Sequence, residues 1–128
     1  MRHKRQTLAI ALILAVFMSP VHAGDAVKGA KVYKKCVSCH MIGDGAKNRV
    51  GPHLNGIVGR KIGAIADYKY SKAMVAYAAA AEVWSEENLD AYLESPRKVV
   101  KGGRMAFAGL RKEKDRNDVI AYLKENAK

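Results

Sequence analysis

Both cysteines of the chain fall in one five-residue stretch, Cys36-Val37-Ser38-Cys39-His40, and no other feature restricts the fold as tightly. Two thiols three positions apart can form a small disulfide, a redox pair, part of a zinc site or a double covalent anchor. A disulfide here would enclose only two residues, so it would constrain little of the unfolded chain. A thioredoxin-type pair needs a preceding strand and a βαβ unit, and the flanking sequence has no strand-like alternation. Tetrahedral zinc needs four ligands. Beyond Cys36, Cys39 and His40, only His53 follows the N-terminal segment, with no second Cys or His pair at finger spacing.

The remaining reading is covalent attachment of a haem. One turn of helix presents both sulfurs to the vinyl groups on one porphyrin edge and leaves His40 to turn its imidazole to the iron. A second axial ligand would have to come from Met41, Met74 or Met105. Met41 follows His40 directly and cannot reach the opposite face. Met105 lies in KGGRMAFAGL, beyond Pro96, where the glycines let the chain wrap to the far side. A methionine beside Phe107 and Leu110 is otherwise ordinary core filler, and the upstream motif is what makes Met105 the expected ligand.

The N-terminus follows a separate logic. MRHKR precedes an apolar run of 11 residues, Leu8 to Met18, against the roughly 20 needed to span a bilayer as a helix. Val21-His22-Ala23 ahead of Gly24 then satisfies a secretory cleavage site. Residues 1–23 therefore read as a cleaved signal peptide and 24–128 as one domain, with a retained anchor helix as the alternative. The whole chain has 128 residues, 49% of them apolar, with 3 prolines, which fits a single small domain. Its formal charge is +11, from 23 basic and 12 acidic residues; without the leader, 20 basic residues remain and the charge is +8. Such a balance suits acidic partners, an anionic surface or a solvated exterior.

The rest of the pattern predicts an all-α domain of short helices and long loops. Asp25 is expected to cap a helix to about Cys39, with Val27, Ala30 and Tyr33 on one face and Gly29 as a flat spot for close contact. The glycine-rich stretch from Met41 to Ala66 reads as loop. Ser71 is expected to start an alanine-rich helix to about Glu82. Ser85 should cap another, with Glu86 and Glu87 in its first turn, Trp84 stapled onto Leu89, and Pro96 as the stop. A last helix from about Lys114 to Glu125 should bury Val119, Tyr122 and Leu123, with Lys114 a poor cap. So thin a core points to haem as its filling and to a haem-free chain that is largely disordered.

Taken in order, GDAVKGAKVYKKCVSCH, VGPHLNGIVGRKIG, YKYSKAM, VWSEENLDAYLESPRKVVKGGRMAFAGLRK and DVIAYLKE resemble a class I cytochrome c, of the bacterial soluble type related to mitochondrial cytochrome c. The resemblance covers nearly all of residues 24–128. It implies the cytochrome c fold wrapped around one haem c bound through Cys36 and Cys39, with His40 and Met105 on the iron. It further implies that the Pro52 carbonyl orients His40, that Arg60, Tyr70 and Trp84 bond the haem propionates, that Tyr92 sits near the axial sulfur, and that Gly29 meets Tyr122 where the terminal helices cross. Departures are Gly103 in place of a threonine, Met74 in place of a polar residue, and about three extra residues within Ala76 to Ala81.

The implied function is that of a periplasmic, monomeric one-electron carrier rather than an enzyme. Lys34, Lys35, Arg49, Arg97, Lys98, Lys101, Arg104, Arg111 and Lys112 lie near the haem motif or the Met105 loop. They would steer acidic redox proteins, such as a quinol–cytochrome c reductase and a terminal oxidase or photosynthetic reaction centre, into brief encounters, some at a membrane surface. No basic helix or stacking platform suggests nucleic acid. The rivals are a ligand-binding or sensor haem protein with an open sixth position, and a peroxidase using His53.

Overall fold

The computed structural model describes residues 23–126. The leader read in residues 1–23 lies outside that range except for Ala23. Five helices follow in order: α1 (Ala26–Tyr33), α2 (Lys72–Ala81), α3 (Glu86–Glu94), α4 (Pro96–Val99) and α5 (Glu113–Glu125). Among the described residues the only strand-like pairing is a single antiparallel bridge, Lys61 to Val83, and no helix is long and apolar enough to cross a membrane.

Three caps form as the sequence predicts. Asp25, Ser71 and Ser85 each accept a hydrogen bond from the backbone N–H three residues on, at 3.0–3.1 Å. At α5 the cap position is Lys112, whose side chain makes no capping bond. Pro96 ends one helix and begins another, since its missing N–H and preset φ suit the first position of α4.

Two expectations about α1 are corrected. The α-helix stops at Tyr33, because hydrogen bonding steps down to three-residue closure at Lys35, Cys36 and Cys39, tightening the chain into successive turns. Val27 is 78% exposed, while Gly29 and Tyr33 form the buried face. Two residues from Gly29, Val27 stands roughly 200° around the helix, and the crossing with α5 sets which face is inside.

That crossing organises the molecule. A Cβ on Gly29 would fall 1.9 Å from the Asp118 carbonyl oxygen and 2.8 Å from the Tyr122 Cβ, so only glycine lets α1 and α5 approach this closely. The Tyr33 and Tyr122 rings stack beside it at 5.1 Å. Buried Asp118 accepts from the Asp25 N–H at 2.8 Å and from Lys114 at 2.6 Å. Those two donors, the Asp25 N–H first, hold its carboxyl below the usual range. Buried Arg116 ties α5 to α3 through Nε, which donates to Asp90 at 2.7 Å, and its Nη1 donates to the carbonyls of Leu110 and Arg111. Val119, Ile120 and Leu123 complete the buried face of α5; Tyr122 is half-buried.

Candidate functional site

The helices and the long loops enclose a cavity of about 600 Å³, within the range of about 300–1,000 Å³ usual for cofactor sites. Cys36, Cys39 and His40 reach it from the turns after α1, Gly51, Pro52 and Arg60 from the first long loop, Trp84, Tyr92 and Leu93 from the α3 region, Met105 and Phe107 from the second loop. Tyr70 and Met74 also line it, and Val119 and Leu123 close it from α5. All nine residues assigned to the site from sequence therefore border one space, although Cys36 and Met105 are 69 positions apart.

Local geometry prepares His40 as a metal ligand. Its N–H bonds the Cys36 carbonyl at 2.9 Å, completing the turn that sets both thiols and the imidazole on one side. Nδ1 lies 2.7 Å from the Pro52 carbonyl, so it carries the proton and leaves the Nε2 lone pair for a metal. Burial lowers the His40 pKa, the Arg60 charge adds to that, and the Pro52 bond opposes it. The Tyr33 hydroxyl donates to the His40 carbonyl at 3.3 Å. Burial, then the neighbouring Cys39, pushes the Cys36 thiol up.

Met105, also on the cavity wall, is half-buried, with Sδ 3.7 Å from the Tyr92 hydroxyl. Burial pushes the Tyr92 phenol up to about 12, so it stays a hydrogen-bond donor at neutral pH. Arg60 supplies the clearest sign of what the cavity accepts. Its two terminal nitrogens donate to the carbonyls of His53 and Asn55 at 2.8–3.1 Å, yet its buried Nε has no partner. A buried N–H on a cavity wall calls for an acceptor, and the carboxylates of a haem are of the right kind. The Tyr70 hydroxyl accepts from the Ile65 N–H at 3.2 Å, which leaves its own proton to donate. Thiols, a neutral imidazole, a thioether, an apolar wall and an unpartnered cationic donor fit a haem.

Other assignments separate by position. Met74 lines the cavity, whereas Met41, His53 and Gly103 do not. Gly103 instead packs on Val100, whose carbonyl oxygen would lie 3.1 Å from a Cβ there.

Sequence reasoning missed three contributors. Gly51 cradles the imidazole: a Cβ there would lie 2.3 Å from His40 Cε1. Its only sequence signal was a glycine directly before Pro52. Asn48 accepts from the His53 N–H and donates to Asp67, both at 3.0 Å, joining two segments of the first loop. Tyr68 lines the cavity and donates to the Val50 carbonyl at 2.8 Å. The nine basic residues singled out above are all exposed, and Lys35 and Arg104 also line the cavity.

Comparison with known proteins agrees with this geometry. The cytochrome c family profile matches residues 26–127. A cytochrome c-550 of Ancylobacter novellus is 50% identical over 97 residues, covering 76% of this chain and 91% of its own. A cytochrome c2 of Agrobacterium tumefaciens (strain II Chrys) is 46% identical over 100 residues, covering 78% and 90%. A cytochrome c of Arabidopsis thaliana is 44% identical over 106 residues, covering 82% and 92%. An all-α chain folded around a cavity that receives a Cys-x-x-Cys-His turn, and alike to such relatives over most of its length, belongs to the cytochrome c family of electron carriers, with one haem c bound through Cys36 and Cys39.

Proposed function

We propose that the protein is a periplasmic one-electron carrier whose haem iron is closed by His40 on one side and Met105 on the other. The observation that carries this reading is that both side chains border the same cavity, each with a partner that orients it: Pro52 for His40, Tyr92 for Met105. An iron with two fixed protein ligands supplies one-electron chemistry without a position for substrate. The chain's own groups bias that chemistry. The neutral thioether favours the ferrous state, and the apolar walls disfavour added positive charge, so both raise the reduction potential. Pro52 holds the imidazole in one tautomer, while Arg60, Tyr70 and Trp84 offer donors to the propionates.

Export rests on the leader pattern in residues 1–23, and encounter with partners rests on charge. Nine exposed cations, of which Lys35 and Arg104 line the cavity, favour brief complexes with acidic redox proteins, such as a quinol–cytochrome c reductase and a terminal oxidase or photosynthetic reaction centre. The deciding experiment is the visible spectrum of the exported holoprotein in both redox states. The expected result is a weak far-red ferric band that disappears in Met105→Ala, with no carbon monoxide uptake by the ferrous wild type. Absence of that band together with ready carbon monoxide binding would instead make this a ligand-binding or sensor haem protein.

A further inference from the structure

The segment joining α2 to α3 contains a backbone irregularity that the helix pattern does not require. Among the described residues Glu82 is the one non-glycine with positive φ, at φ 61° and ψ −59°. The Val83 N–H bonds the Ala81 carbonyl at 2.7 Å across it, which makes a γ-turn of the rare, strained hand. Strain of this kind persists only where its surroundings enforce it.

The surroundings are three backbone hydrogen bonds, two of which frame the Lys61–Val83 pair. Ile62 N–H bonds the Glu82 carbonyl and Trp84 N–H bonds the Arg60 carbonyl, both at 2.9 Å, which sets Lys61 opposite Val83; Gly59 N–H bonds the Trp84 carbonyl at 2.7 Å. Arg60 and Trp84 both line the cavity. Along extended chain, neighbouring side chains point to opposite faces, so a slip of one residue would exchange buried Trp84 for Val83, which is 37% exposed. The preceding helix is anchored only through half-buried side chains, Tyr77 against Trp84 at 5.8 Å among them, and none of its ten residues is fully buried, so the backbone bonds are what fix the register at its end. The Glu82 side chain is itself exposed, so its backbone is what the site uses.

We propose that the strained turn at Glu82 is a positioning device: it ends α2 abruptly and sets the register of Trp84 against Arg60, so that both present their donors to the cofactor's carboxylates. The proposal rests on the propionate role given above to Arg60 and Trp84. A residue that tolerates positive φ should preserve the device, and a β-branched one should break it.

Two readouts on the holoprotein test it: Trp84 fluorescence, quenched when the indole lies against the haem, and the acid-side inflection in the pH dependence of the midpoint potential, set by the propionates. Glu82→Val should raise Trp84 emission and move the inflection to higher pH, because a propionate with fewer donors ionises less readily. Glu82→Gly should keep both readouts at wild-type values. Ala80→Gly weakens the same exposed helix by propensity alone and should lower the thermal midpoint without moving either readout. Should Glu82→Val yield no holoprotein, Glu82→Thr carries the same test. Wild-type readouts in the β-branched variant, or equal changes in it and in Ala80→Gly, would overturn the proposal. Trp84→Phe separates the two levels: an unmoved inflection removes the propionate role and the proposal with it. An inflection that moves in Trp84→Phe but not in Glu82→Val leaves the site reading intact and refutes the register alone.

Discussion

At the residue scale, the site depends as much on atoms that must be missing as on those present. Gly51 leaves room for the His40 ring, and Gly51→Ala would place a Cβ 2.3 Å from it. Overpacking of this sort costs about 1–3 kcal/mol, and here the imidazole has to move or tilt off its Pro52 bond. The variant should lose thermal stability and show altered ferric absorption, read by thermal unfolding and visible spectroscopy. Buried tyrosines make a second prediction. Tyr33 and Tyr92 are both pushed up from 10.0 to about 12 by burial. A raised folded-state value means the neutral phenol is favoured in the fold. The associated stability is complete below pH 10 and is lost as pH rises towards 12, up to about 2 kcal/mol for each group. Urea unfolding midpoints between pH 9 and 12 should fall accordingly, and the fall should be shallower in Tyr33→Phe.

At the element scale, the helices differ in what holds them. α1 is a short helix with a side-chain cap, and the Gly29 contact is the device that docks it on α5. α3 has its serine cap and two acidic residues in the first turn, where they complement the helix dipole. By contrast α5 starts at Lys112 with no side-chain cap, so its first turn depends on tertiary packing. Lys112→Asp should add an acceptor for those N–H groups and raise stability by about 1 kcal/mol. Thermal unfolding checks the gain. α2 has a cap and no fully buried residue; Met74, Tyr77, Ala78 and Ala81 pack half-buried on the core, while the exposed Ala76, Ala79 and Ala80 contribute propensity. The sequence pattern located α2, α3 and α5 closely because caps, prolines and apolar spacing are local chemistry, but it read Pro96 only as a stop and did not foresee α4 (Pro96–Val99). It misplaced Val27 because hydropathy alone does not say which face of so short a helix is buried, and only the α5 crossing selects it.

At the scale of the whole molecule, the core and the cofactor site are nearly the same object. Of the eleven buried apolar residues, all but Ile62, Val100 and Ile120 line the cavity. Without a haem those side chains have little to pack on, and burial of apolar area is the main favourable term in folding. A Cys36→Ala/Cys39→Ala chain lacking haem should therefore give a far-ultraviolet circular dichroism spectrum of a largely disordered protein. A helical spectrum with a cooperative melt would refute that.

The sequence by itself determined the haem chemistry, the capped starts of α1, α2 and α3 and the surplus of cations, because thiol spacing, capping and charge act over a few residues or need no geometry. Met105 was readable from the upstream motif and its glycine-bearing loop, whereas Pro52, Arg60, Tyr70, Trp84 and Tyr92 were readable only through resemblance, since no local rule links Pro52 to His40 or Tyr92 to Met105. Tertiary structure alone decided that Gly51 would cradle an imidazole, that Asn48 would join two loop segments, that Arg60 would keep one buried N–H unpaired, and that Glu82 would accept a strained turn. Each of those depends on where a distant segment of chain comes to rest. The physical reason is that steric contact and hydrogen bonding act over a few ångströms in space, and only folding brings residues far apart along the chain within that range.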